Sequence, residues 1–454
     1  LGVFDSDHIF QYILAVREQE KGIGQTENHS AAPACWVRVA RLPIAGSLNV
    51  KDLPMDGIYR FVLTDVGKAH WVDAWDVDET TLPLGTGHTW RVQKTTLKGG
   101  LQDGVDLIEV DNGALSFYIV PTRGMGIWKG IYRGIPLGWE SPVSGLVNPA
   151  FIDPNDRGGL GWLKGFNEWI VRCGLNSNGA PGMDVIIDNN GNEAEVFVPL
   201  HGKIANTPAR HVEIRIDLAP PHRITVVGVV DETMMFGPAL RLTTEISTQL
   251  GSNRLVIHDQ VTNLNATPSE AQLLYHCNFG APLLEEGASL VAPFKRVSPR
   301  DGRAQEDMKT YDKFKGPESG YVEQVYFYEL ASKRGSRDTT VLLKNADGSL
   351  GSSLAFSLKQ IPYFSLWKNT AAVENGYVTG LEPATNYPNP KRFERSAGRV
   401  VQLAGGETQA YDLTVAIHDS RRQVGAVERQ IKEIQKTAKP KVSQDILSRL
   451  SSAG

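Results

Sequence analysis

The sequence predicts a mainly β protein built around one large antiparallel domain, and three observations carry that expectation. Runs with period-two alternation and many β-branched residues recur from about residue 55 to 419. The 45 glycines and 25 prolines are spread evenly, as many short strands joined by turns require. Helical spacing of apolar residues is confined to the ends of the chain.

Taken in order, residues 1–54 read as an N-terminal extension. A short helix is expected within 1–45, followed by the polar connector GIGQTENHSAAPA. The β domain is expected over 55–419. Within it, Val105–Val120 (VDLIEVDNGALSFYIV) places two strand-like runs around Asp111-Asn112-Gly113, a hairpin signal. Further strands are expected at His211–Leu218, Arg223–Val230, Leu240–Leu250, Arg254–Leu264, Thr339–Asn345 and Ser353–Lys359. In Arg399–His418, Ala404-Gly405-Gly406-Glu407 supplies a turn. Residues 420–454 hold a helix and tail. Val424, Val427, Ile431 and Ile434 lie three or four apart, which predicts an amphipathic helix over 420–437 that packs on the domain and is ended by Pro440.

Composition narrows the function. Apolar residues make up 41% and charged residues 22% of the 454, ordinary for a globular protein with a substantial core. The 47 Lys+Arg against 51 Asp+Glu leave a net charge of -4, with no basic excess to neutralise a phosphate backbone, so no nucleic-acid partner is expected. No apolar run approaches the roughly 20 residues of a membrane-spanning helix, so no membrane partner is expected either. Cys35, Cys173 and Cys277 are too few and too scattered for a disulfide framework or a structural zinc site. The opening LGVFDSDHIF lacks the marks of a signal peptide but does not begin with Met. The compartment stays open: cytoplasmic, or periplasmic if a leader has been removed.

Three segments set titratable residues in rigid, turn-rich surroundings. In PLHGKIANTPAR, His201 precedes a glycine where the chain leaves a strand-like run, a usual place for function, although a plain turn histidine would look the same. In LLYHCNFGAPLL, a strand puts His276 and Asn278 on one face and Tyr275 and Cys277 on the other. Polar groups in such an apolar run need partners, whether a ligand or other core groups, because each one left unsatisfied costs about 1–3 kcal/mol. In YVTGLEPATNYPNP, Glu382 ends a strand, is locked by Pro383 and is followed by Asn386. That makes it a general-base candidate, the alternative being a salt-bridged glutamate. Trp367 is a ring suited to stacking on a sugar, or simply core. Arg123 follows a strand among glycines, and Arg172 adjoins Cys173, whose thiol pKa it could lower. No phosphate loop, HExxH, GxSxG or EF-hand loop occurs.

PTRGMGIWKG, LGWESPV, NPAFI, GGLGWLKGFNEWIVRCGLNSNGAPG, LHGKIANTPAR, YHCNFGAPLL and GLEPATN follow one another in this order. Together they resemble a bacterial family of aldose-1-epimerase-like proteins of unknown function, within the galactose mutarotase-like superfamily, over roughly residues 57–420. The resemblance implies a large twisted antiparallel β-sandwich with a sugar-binding groove on one concave face. It implies that His276 acts as general acid on the ring oxygen and Glu382 as general base on the anomeric hydroxyl, with His201 contacting the ring oxygen and hydroxyls. Arg123, Arg172, Asn278 and Asn386 are implied as donors to sugar hydroxyls, with Trp367 beside them. The implied partner is a small-molecule sugar or sugar derivative, with no cofactor and no metal. The arginine-asparagine-arginine segment found before the first histidine of galactose mutarotases is not recognisable here. Phosphorylated sugars, sulfonated sugars and larger glycans therefore stay open as ligands. Two alternatives remain: a non-catalytic or regulatory carbohydrate-binding protein using the same groove, and a metal-dependent hydrolase or lyase using His201, His276 and Glu382 as a His₂Glu ligand set. Oligomeric state is not legible.

Overall fold

The computed structural model describes residues 56–453; the helix expected within 1–45 lies outside them. Two large sheets face one another. One has ten strands and runs from the edge strand Ser289–Val291 through the centre to Ile58–Asp65 and His70–Trp71. The other has fourteen strands. Its central portion lines up Gln324–Leu330, Tyr363–Asn369, Val378–Ala384, Ser269–Phe279 and Ile170–Leu175 side by side. All of these central neighbours pair antiparallel.

The alternation of apolar and polar residues explains which faces meet. Ala239–Gln249 and Arg254–Asn263 bury every second residue, so Leu240, Leu242, Ile246, Leu255, Ile257 and Val261 enter the core while their neighbours face outward. The opposing strand Ser269–Phe279 is buried on both faces over most of its length. Leu273, Tyr275 and Cys277 join the main core, whereas Leu274 belongs to a second apolar cluster on the far side with Trp139, Trp162, Phe166, Val171, Cys173 and Ala384. That second face carries the site described below.

The hairpin predicted at Val105–Val120 is present as Asp106–Asp111 and Leu115–Val120. Its turn is closed by the Asn112 side chain, whose Oδ1 accepts from the backbone N–H groups of Ala114 and Leu115 at 2.9 and 2.8 Å. The turn in 399–418 does not join a simple hairpin: Val401–Leu403 pairs instead with Ser269–Ala271. The C-terminal helix spans Arg421–Gln435, capped by Ser420, and buries Val424, Ile431 and Ile434 against the ten-stranded sheet's outer face. It stops ahead of Pro440, where Thr437 N–H turns back to the Ile434 carbonyl. No helix of the described residues is long and apolar enough to cross a membrane.

Candidate functional site

His276 stands on the central strand Ser269–Phe279, and Glu382 on its neighbour Val378–Ala384. Their side chains meet across the two strands, with His276 Nε2 3.3 Å from Glu382 Oε1. Both are almost wholly buried, at 4% and 3% exposure. Between them Gly380 leaves the needed space, because a Cβ there would lie 2.9 Å from His276 Cε1 and 3.0 Å from Glu382 Oε1.

The tautomer of His276 follows from its surroundings. Asn278 donates its amide N–H groups to the carbonyls of Glu168 (2.9 Å) and His276 (3.1 Å), which leaves Oδ1 facing the ring. That oxygen lies 2.5 Å from Nδ1 and can only accept, so Nδ1 carries a proton and Nε2 is the atom that titrates. The same logic holds for His201, whose Nδ1 donates to the Asn178 carbonyl at 2.8 Å. His201 sits in the left-handed region at φ 59°, and Gly202 beside it is tightly enclosed, a Cβ there meeting the Ser177 carbonyl oxygen at 2.1 Å. The two imidazole rings are 5.6 Å apart between centroids.

Aromatic rings enclose this group. Trp162 lies 4.6 Å from His201, Phe166 5.1 Å from His276 and Trp367 5.4 Å from His276, measured between ring centroids. Trp367 donates its indole N–H to Glu323 at 2.6 Å, and Glu323 in turn accepts from Arg300 at 3.1 Å. Glu323 and Arg300 form the partly exposed rim.

Burial sets the electrostatics. It drives the Glu382 carboxyl well above the usual carboxylate range, helped by the charge of Glu323 and opposed by Arg300. It pulls His201 down to about 4, against the Asn178 hydrogen bond, and lowers His276 as well, with His201 adding to the effect. The raised carboxyl and the lowered imidazole both favour a pair whose shared proton rests on Glu382 and leaves His276 Nε2 bare.

The remaining residues singled out in the sequence stand elsewhere. Arg123 is fully buried and spends its N–H groups on Glu168, Asn206 and the carbonyls of Val147 and Gly165. It braces the 161–168 loop that carries Trp162 and Phe166, with no donor left for a sugar. Arg172 pairs in register with Tyr275, on the face opposite His276. There it binds Asp259 (2.5 and 2.9 Å), Thr244 and the Met125 carbonyl inside the sandwich. Asn386 exchanges amide hydrogen bonds with Asn178, and so fixes the segment that holds His201. Asn278 orients His276. Cys173 faces away from Arg172, and burial pushes its thiol up rather than down. No group of three or more His, Cys, Asp or Glu side chains arranged to hold a metal occurs among the described residues. Glu323 and Arg300 were not legible: GYVEQVYF and SPRD carry no local mark that sets them apart from surface charges.

The two facing sheets give the chain a galactose mutarotase-like fold. The chain belongs to the family described as domain of unknown function DUF4432, which matches residues 102–417. It is 35% identical to a "putative aldose 1-epimerase" from Klebsiella pneumoniae whose crystal structure superposes with a TM-score of 0.81, covering 86% of this chain and 99% of that one. A galactose mutarotase-like protein from Clostridium acetobutylicum shares the fold at 14% identity and a TM-score of 0.50, covering 76% of this chain and 99% of that one. No curated protein matches.

Proposed function

We propose that the protein interconverts the anomers of a free aldose by general acid/base catalysis, with His276 and Glu382 as the reacting pair. The observation that carries this reading is the 3.3 Å approach of His276 Nε2 to Glu382 Oε1, with Nδ1 already committed to Asn278. A hemiacetal presents its O1–H and ring oxygen on one edge, and a pair holding one proton can serve both. In the ion-pair form, reached when the shared proton passes from Glu382 to His276, Nε2–H protonates the ring oxygen as Glu382 takes the proton from O1. The C1–O5 bond breaks, C1 becomes a carbonyl, and the pair is left neutral. After rotation about C1–C2 the transfers reverse: Glu382 returns a proton to O1, the O5 hydroxyl closes on C1, and its proton goes back to His276. The net charge of the pair and sugar never changes, which suits a buried site. His201 Nε2 accepts from a sugar hydroxyl, and Trp367 offers its ring face.

The test is exchange between the α and β signals of a panel of aldopyranoses followed by NMR. A rate above the uncatalysed one is expected for at least one sugar. A panel with no acceleration contradicts the reading. A sugar-binding protein without turnover would use the same residues, and the Glu382 variant discussed below separates the two.

Two further outcomes follow from the electrostatics. Because burial lowers His201, its Nε2 stays unprotonated down to pH values well below the ordinary imidazole range. The acid limb of the pH–rate profile is therefore expected near pH 4, where His201 takes up its proton, with folding checked by circular dichroism at each pH. A limb between pH 6 and 7 would mean that the histidines are solvated. The substrate is expected to be uncharged. Arg123 and Arg172 are committed to protein acceptors, and Arg300 is paired with both Glu323 and Asp301. An aldose 6-phosphate should bind more weakly than the parent aldose in calorimetry, and tighter phosphate binding would contradict this assignment.

A further inference from the structure

One buried hydroxyl beside the imidazole–carboxylate pair has no partner among the described residues. Ser365 lies on Tyr363–Asn369, the strand that flanks Val378–Ala384 on the side away from His276. The register sets it directly opposite Glu382, so both side chains leave the sheet on one face, their Cβ atoms about 4.5–5.5 Å apart. On its other side Ser365 faces Phe327. A single row across the sheet therefore reads His276, Glu382, Ser365, Phe327.

Ser365 is 1% exposed, and its Oγ makes no hydrogen bond within the described chain. A hydroxyl held that way in an interior is unfavourable, and alanine would fill the place without the cost. Of its two cross-strand neighbours only Glu382 can accept a hydrogen bond. Trp367, two residues along on the same face, is a donor only and is committed to Glu323.

The Glu382 carboxyl is in the complementary condition. It approaches His276 Nε2 through Oε1. A carboxylate offers about four acceptor sites, and donors aimed at them favour its charged form. While the shared proton rests on Glu382 there is little call for such a donor. The ion-pair form creates one.

We propose that Ser365 is a positioning residue for the base, its hydroxyl turning to donate to the Glu382 oxygen not engaged with His276 when that carboxyl becomes charged. This rests on Glu382 acting as the base. The hydroxyl stabilises the carboxylate more than the acid, so the reactive ion pair becomes less scarce. It also fixes the plane of the carboxyl, with Oε1 kept toward His276.

Ser365→Ala tests this, with anomer exchange followed by NMR on a responsive aldose. The expected result is a kcat lower by about 10–100-fold, KM unchanged, and a fold at least as stable as wild type. Ser365→Cys, close in volume but a weak donor, should show a loss in the same direction and guards against poor packing of the alanine variant. A hydroxyl with a merely structural role would leave kcat unchanged in both variants, and that result overturns the proposal. An infrared pH titration needs no turnover. The carboxyl C=O band assigned to Glu382 by its loss in Glu382→Gln should persist to higher pH in Ser365→Ala, because a donor to the charged form is gone. If the wild type accelerates no sugar, the anomer reading fails, and the titration still decides the contact: an upward shift upholds it and an unshifted band overturns it.

Discussion

Replacing Glu382 with glutamine is expected to lower the rate of anomer exchange by about 10²–10⁴-fold while sugar still binds. Glutamine keeps the shape and buried volume of the side chain but can neither take the proton from O1 nor share one with His276 Nε2, now 3.3 Å from a carboxylate oxygen. Because burial drives the Glu382 carboxyl up, the substitution removes a group that is already reluctant to be charged, and the fold should tolerate it. The measurement is two-dimensional exchange NMR or polarimetry on a responsive aldose, with affinity followed separately. An unchanged rate would leave a sugar-binding protein without chemistry. A lost rate with retained affinity is the signature of a base.

The second large effect concerns stability. Arg172→Ala should destabilise the protein by about 3–5 kcal/mol, because it strands the Asp259 carboxylate in the core. Asp259 is fully buried, and among the described residues its carboxylate accepts, besides Arg172, only from the Tyr275 hydroxyl, at 2.9 Å. Neutralising both partners together, as Arg172→Met with Asp259→Leu, should recover much of the loss. Denaturant unfolding of the three variants reads this directly. If Arg172→Ala instead folds with wild-type stability and loses only sugar affinity, the arginine contacts substrate and its place inside the sandwich has been misassigned.

These two residues also show how far the sequence could be read. Period-two alternation in LLYHCNFG was enough to place His276 with Asn278 and opposite Tyr275, since a strand's geometry is local. Glu382 was expected at the end of a strand, but Val378–Ala384 runs on past it, with Pro383 still paired to Phe364, so Glu382 stands inside the sheet. A buried arginine looks the same in sequence whether its partner is a sugar, Glu168 or Asp259, because the deciding acceptor arrives from a segment 45 or 87 residues away. Asn386 was legible as a constrained amide, but its partner Asn178 lies 208 residues away. Glu323 gave no signal, because its role comes from lying at the rim beside Trp367 and Arg300, which only the sheet order brings together. The strands and the C-terminal helix were legible because burial follows a short repeat; the pairing of Val401–Leu403 with Ser269–Ala271 was not, because the Gly405-Gly406 turn suggested a neighbour that the fold does not use.

The central claim is that the His276–Glu382 pair works on the C1–O5 edge of a sugar. A crystal structure of Glu382→Gln with a bound aldopyranose tests it most directly. The account predicts O1 within hydrogen-bonding reach of the substituted side chain and the ring oxygen within reach of His276 Nε2, each at about 2.6–3.2 Å. Trp367 or the 161–166 loop should be displaced to admit the ring. A sugar lodged elsewhere, with His276 and the introduced glutamine still facing only each other, would contradict it.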